Sequence, residues 1–329
     1  MKNWVLLFVL LCSLVEEIQG QKETDFLKDL GTKQITQFIA RGYVQYSDFG
    51  AKGDGEIDDF EAIVKTHAFA NNYNLSVKAN QRATYYIGGA DRTAIIQTDT
   101  NFGSAIFIID DRKVQNRKTS VFEVNSKLKP FKLDNIASLK KNQKKLHVSL
   151  PTSCLVTVVN RKKKQYIRFG RNQNNGSYQT DVFYVNKDGN VEKNTPIIWD
   201  FNRITKISAI PIDHSKITIT GGYFITRANT EKSKYRYYNR NISIKRSNVI
   251  VDGLEHYIKG EGATGAPYRG FISISHAYNV TVKNTKLTGH KKYTTIGSKG
   301  KPVSMGSYDI SVNRALNVSF INCMQTNDI

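Results

Sequence analysis

Apolar residues recur at helical spacing between Thr24 and Arg41, at Phe26, Leu27, Leu30, Ile35, Phe38 and Ile39, and Gly42 ends the run. A second helical face, through Ile63, Val64, His67 and Ala68, predicts a helix from about Phe60 to Ala70 with Asp58 or Asp59 as its N-cap. Elsewhere the period is two. Tyr43 to Tyr46, Ala83 to Ile87, Ala94 to Gln97 and Ala105 to Ile109 read as short strands. Residues 111–145 are basic and weakly patterned. Val156 to Val159, Gln165 to Phe169, Asp181 to Val185 and Ile197 to Phe201 then read as strands, with tight turns at Asn174-Asn175-Gly176 and Lys187-Asp188-Gly189-Asn190. This predicts an antiparallel β subdomain inserted over 111–205.

From Ile217 onward the pattern repeats. Ile242-Ser243-Ile244 leads to Asn248-Val249-Ile250-Val251, Ile272-Ser273-Ile274 to Asn279-Val280-Thr281-Val282, and Ile310-Ser311-Val312 to Asn317-Val318-Ser319-Phe320. Ile217 to Gly222 is a fainter copy. Each copy is two alternating strands joined by a bend at Asn, and one copy cannot bury its apolar face alone. Stacked copies can, with Ile on Ile, Val on Val and a ladder of bend asparagines. An antiparallel sandwich also uses short strands, but it does not explain the recurring signature. The expectation is therefore a solenoid of parallel rungs over 206–329.

The run Asp48-Phe49-Gly50-Ala51-Lys52-Gly53-Asp54-Gly55, followed by Asp58-Asp59 and an alanine-bearing helix, resembles the N-terminal signature of the pectate-lyase-like superfamily. Its members are secreted, polysaccharide-degrading and tailspike-like proteins. The N-V-x-[VF]-x-N rungs at 279–284 and 317–322 resemble the body of the same fold. The resemblance covers about 43–110 and 214–329 and implies an all-β, right-handed parallel β-helix with an N-terminal capping helix and an inserted antiparallel β subdomain. Residues 21–110 would be the cap and the first β-helix segment. Asp48, Gly50, Gly53, Asp54, Gly55, Asp58 and Asp59 have structural work in this reading: glycines for unusual backbone angles, aspartates for local amides. The chain stops nine residues after Phe320 with no evident cap, so the expectation is a β-helix truncated at its C-terminus.

Charge changes the picture next. Lys and Arg number 48 against 28 Asp and Glu, a net +20, and the stretch 111–171 alone holds 17 basic and 3 acidic residues. Such asymmetry fits a polyanionic partner. Residues 1–20 read as an export signal, with Lys2 before an apolar core from Val5 to Val15 that is too short to span a bilayer. Export would leave Cys154 and Cys323, too few for a disulfide framework. No transmembrane segment is expected, and export argues against nucleic acid as a partner. Two of five N-x-S/T sequons, at Asn279 and Asn317, fall within predicted rungs and read as rung chemistry.

Polygalacturonase-type relatives in the superfamily carry several aspartates on one rung face with Gly-His-Gly and Arg-x-Lys. Here Gly289-His290 is followed by Lys291, and no convincing pair of acids emerges past residue 206. Hydrolysis of a glycosidic bond generally needs such a pair. A lyase on a uronic acid polymer instead needs a cation against the sugar carboxylate and a base for the neighbouring C–H proton. Arg269, His290, Lys291, Tyr293 and Arg314 are the catalytic candidates, with His276 among the same cluster. Lys234, Tyr235, Arg236, Tyr237 and Arg240 suit sugar stacking and carboxylate binding. No cofactor is identified, and calcium would accompany a uronate lyase. The expected partner is an acidic polysaccharide. A non-catalytic glycan-binding or adhesin-like β-helix, or an inactive fragment of a longer enzyme, is the alternative.

Overall fold

The computed structural model describes residues 30–89, 91–114, 116–166, 176–231, 237–261, 265–288, 292–296 and 300–325. The expected export signal lies outside them.

Parallel strands stacked rung on rung dominate the chain. One sheet of twelve strands follows the order Tyr43–Gln45, Ser76–Lys78, Thr100–Asp110, Ile217–Arg227, Val249–Asp252, Tyr278–Lys283 and Leu316–Ile321, with further short strands beside this path. A second, five-stranded sheet stacks Ala94–Ile96, Phe122–Val124, Ile242–Ile244, Ile272–Ser275 and Ile310–Asn313, all parallel. The repeat sets the register: Ile242 pairs with Ile272 and Ile272 with Ile310, while Val249 pairs with Val280 and Val280 with Val318. The fold is thus a parallel β-helix, the fold that the Asp48–Gly55 run implies.

The rungs are held by burial of like on like. Ile272, Val280 and Val282 are fully enclosed, and each such side chain contributes about 1.5–3 kcal/mol relative to exposure. Nearer the start of the chain the interior is aromatic. Phe107 stacks on Phe224 at 4.8 Å, and Phe102 meets both edge-on. The same interior positions on the last described rung, Val312 and Phe320, are 46% and 43% exposed.

Corners need left-handed backbone, and among the described non-glycine residues asparagine supplies most of it. Asn248, Asn279 and Asn317 have φ of 59°, 58° and 51°, a region that Asn enters more readily than other non-glycine residues. Their side-chain amides form the expected ladder, Asn317 donating to Asn279 and Asn279 to Asn248.

Helix α1 (Thr32–Arg41) ends at Gly42, whose φ of 77° lets its N–H return to Ile39 and Phe38. Helix α2 (Phe60–Tyr73) packs across the first strands and buries Phe60, Ile63 and Phe69. The preceding aspartates bond local amides. Asp59 takes the N–H groups of Lys52 and Gly53, Asp54 those of Glu56 and Ile57, and Asp58 that of Phe60. Asp58 thus serves the helix start, while Asp59 ties the glycine turn to it.

The antiparallel subdomain is present but begins later than 111. Phe122–Val124 already belongs to the five-stranded solenoid sheet. The antiparallel strands are Phe131–Lys132, Cys154–Tyr166, Ser177–Val185 and Lys206–Pro211. The expected strand Ile197 to Phe201 reduces to one isolated bridge, between Phe201 and Leu139. The subdomain has its own core, including Leu139, Val156, Phe183 and Phe201. It is tied to the solenoid at two places. Arg246 reaches Asp213 at 3.3 Å, where Ser126 also donates at 2.8 Å, and the Tyr184 and Tyr278 rings meet at 4.9 Å. Cys154 and Cys323 are both free.

Candidate functional site

Strand alternation sends one row of each five-stranded-sheet strand outward. The outward row reads Glu123, Ser243, Ser273 and Ser311 on successive rungs. The next outward position carries Lys245, Ser275 and Asn313, and Ser275 pairs with Asn313. The face is therefore a ladder of small hydroxyls, low enough to leave a groove of about 360 Å³ rimmed by Lys118, Asn239, Lys245 and Arg269. Glu123 is its single carboxylate among the described residues, and Lys245 holds it in an ion pair.

The groove continues past the strand ends. There a cavity of about 530 Å³ lies between the solenoid and the antiparallel subdomain, sharing Lys245 and Ser275 with the groove. Lys206, His276 and Arg314 line it, and among the described residues no carboxylate does. His276 and Arg314 occupy the same corner on neighbouring rungs, directly after the paired Ser275 and Asn313. Both have left-handed backbone, φ 54° and 49°, where most described non-glycine residues of that conformation are asparagine. Residues held in such a conformation against their preference cluster at functional sites. Burial, and then the charges of Arg314, Lys206 and Lys245, hold the His276 imidazole below its ordinary pKa. It is thus neutral at pH 7 and able to accept a proton.

Of the residues expected to act, Arg269 and Arg314 line adjoining parts of this one depression. His290 and Lys291 lie outside the described residues, as do Lys234, Tyr235 and Arg236. Tyr293 sits in an antiparallel hairpin opposite Met305. Tyr237 is half-buried beside Tyr308, with ring centres 5.7 Å apart. Arg240 is a correction: it is 1% exposed, and its guanidinium bonds Asp111 at 2.8 Å and the Gly88 carbonyl at 3.0 Å. Its charge is matched inside the rungs and does not face a ligand. Lys118, Lys206 and Lys245 escaped the sequence reading.

The donor set of the groove does not suit calcium, which takes six to eight oxygen ligands. Among the described residues Glu123 is the only carboxylate there, and it shares the groove with Lys118, Lys245 and Arg269. Among the described residues no three His, Cys, Asp or Glu side chains converge on a metal position.

No family model matches the chain, and no curated protein does. Among solved structures it is similar to the tailspike protein gp49 from Pseudomonas phage LKA1, at 13% identity and a TM-score of 0.36, covering 86% of this chain and 64% of that one. The gp54 tailspike of Acinetobacter baumannii bacteriophage AP22, solved with a capsular saccharide, gives 11%, a TM-score of 0.35, and 88% and 59% coverage. The family 28 exopolygalacturonase of Yersinia enterocolitica gives 14%, a TM-score of 0.30, and 84% and 49% coverage. The chain spans less than two thirds of each of these, and likeness this low assigns no activity.

Proposed function

We propose that the groove over the five-stranded sheet binds an acidic polysaccharide and cleaves it by β-elimination at the His276–Arg314 corner. The observation that carries this reading is the hydroxyl ladder of Ser243, Ser273 and Ser311 beside Lys118, Lys245, Arg269 and Arg314, with one carboxylate already paired. Serine hydroxyls suit sugar hydroxyls, and the arginines suit planar carboxylates.

Elimination is favoured over hydrolysis because hydrolysis generally needs two carboxyl groups across the scissile bond. In elimination the neutral His276 imidazole takes the proton next to the sugar carboxylate. The electron pair forms a C=C bond, the C–O bond to the leaving sugar breaks, and that oxygen takes a proton from solvent water while His276 gives its proton back to solvent. Arg314 offsets the carboxylate charge that builds up in this step. Residues 1–20, read as an export signal, would put this activity outside the cell.

The test is incubation with a panel of uronate polymers, followed through the ultraviolet absorbance of the unsaturated product. Turnover lost in His276→Ala with binding retained is the expected result. Binding without turnover in the unaltered chain would leave a glycan-binding module. A reducing-end signal without unsaturation would make it a hydrolase.

A further inference from the structure

We infer that an acidic polymer leaving the cavity beside His276 is carried on over the far end of the antiparallel subdomain, where Arg161, Lys162, Lys163, Lys141 and Trp199 hold it. The inference deepens the acidic-polysaccharide reading and rests on it.

The path follows from the subdomain strands. Val159 and Lys206 are paired across the ladder, and both line the cavity. The strand Lys206–Pro211 reaches no further, while Cys154–Tyr166 runs on beside Ser177–Val185. Arg161 stands two residues beyond Val159, about 7 Å along the strand. Arg161, Lys162 and Lys163 fall in a bulge of this ladder, because Gln179 pairs with Asn160 and Tyr178 already with Lys164. Bulged residues leave the pleat, and their side chains are re-aimed. All three are exposed, and none belongs to an ion pair among the described residues.

Lysines on a bare strand edge also deter edge-to-edge association. Trp199 and Lys141 guard no edge, yet hydrogen bonds bring their segments to the same place. Asn160 Nδ2 donates to Gln179 Oε1 at 3.4 Å, and Gln179 Nε2 to the Asp200 carbonyl at 3.0 Å. The Lys141 N–H donates to Asp200 Oδ1 at 2.9 Å. Asp181 accepts the N–H groups of Ile198, at 2.8 Å, and of Trp199. Gln179 and Asp181 are both buried. Two buried polar side chains thus fix the backbone of a segment whose Ile198 and Trp199 are 47% and 42% exposed.

An indole held in this way offers a face to a sugar ring with little left to order on binding. The cations beside it suit uronate carboxylates. A polyuronate supplies both, sugar faces and carboxylates alternating along one strand. Groove and far end then act on a long polymer as linked sites, a gain that a short oligosaccharide does not receive.

The experiment measures binding of the full chain to polygalacturonate, polymannuronate and polyglucuronate, each as a long polymer and as its trimer. For a uronate that binds, the long form should bind on the order of 100-fold more tightly than the trimer. Combining Arg161→Gln, Lys162→Gln and Lys163→Gln should cut that advantage about 10-fold and make binding of the long form less sensitive to salt. Melting curves confirm that the combined variant folds, and Trp199→Ala, which should cut the advantage about 5-fold, stands in if it does not. Trp4→Phe leaves Trp199 as the sole tryptophan, and its emission should shift when the long polymer binds. An advantage that persists in the variant overturns this inference, as does Trp199 emission that saturating long polymer leaves unchanged. Either result leaves the groove reading intact. A single-stranded oligonucleotide that shifts Trp199 emission at a lower concentration than any polyuronate overturns it in favour of a nucleic-acid surface. Binding to none of the polyuronates overturns both readings.

Discussion

The side-chain amide of Asn279 donates to Oδ1 of Asn248 one rung earlier, at 2.6 Å. Asn279 accepts in turn from Asn317. Each link joins two left-handed corners, so one residue type meets a backbone demand and a hydrogen-bonding demand together. Asn279→Ala loses both links and places a Cβ-bearing residue without local hydrogen bonding at φ 58°. The expected cost is about 2–3 kcal/mol, read as a lower urea midpoint. Asn279→Gly, which keeps only the backbone freedom, should lose less.

Arg240 and Asp111 form a buried pair at 1% and 0% side-chain exposure. Arg240→Leu leaves the carboxylate buried alone and should cost about 3–5 kcal/mol at pH 7. Burial already pushes the Asp111 carboxyl up to about 6 with Arg240 present. Without the arginine it rises further, so the folded variant holds a proton that the unfolded chain releases. Stability of the variant relative to the parent should therefore recover as pH falls from 7 to 5. A deficit that stays constant over that range would contradict the assignment.

Gly221 has φ 67°, and a Cβ there would lie 2.5 Å from the Gly103 carbonyl oxygen on the adjoining strand. The register shift between these strands falls at this point. Gly221→Ala must push the two backbones apart in the interior of the sheet. It should lower stability by at least 2 kcal/mol, measured by thermal melting, whereas Gly253→Ala, with open space around its Cβ position, should cost only the backbone term.

The depressed His276 pKa predicts the pH profile of turnover. The base form is the neutral one, so kcat/KM should hold as pH falls through 6.5 and decline only below that. Arg314→Gln removes one of the cations that depress the imidazole. The acidic limb should then move to higher pH, a shift that a purely structural role for Arg314 would not produce.

The rungs were legible because identical residues stacked on one another leave a fixed spacing, and Ile242, Ile272 and Ile310 pair as that spacing predicts. The subdomain boundary was not. Phe122–Val124 is a solenoid strand inside a lysine-rich stretch, and strands of either sheet share the same period of two. Half of the site was legible for the same reason as the rungs, since Arg269 and Arg314 recur near rung strands. Lys206 was hidden because it comes from a subdomain strand whose approach to His276 is a tertiary contact with no local pattern. One signal was available: His276 and Arg314 each end a strand with left-handed backbone, a conformation that asparagine supplies at most other described non-glycine positions.

The two ends of the antiparallel subdomain lie side by side, Phe131–Lys132 against Ser208 and Ala209. This bears on the order in which the chain assembles. Phe122–Val124 must find Ile242–Ile244, and Thr100–Asp110 must find Ile217–Arg227, across the whole inserted stretch. If the subdomain collapses first on its own core, it acts as a clip that shortens these connections from on the order of 110 residues to about 30–40. The entropy cost of closure then falls by about 1 kcal/mol. An excursion that looks like an interruption of the solenoid is thereby a means of bringing its two halves into register.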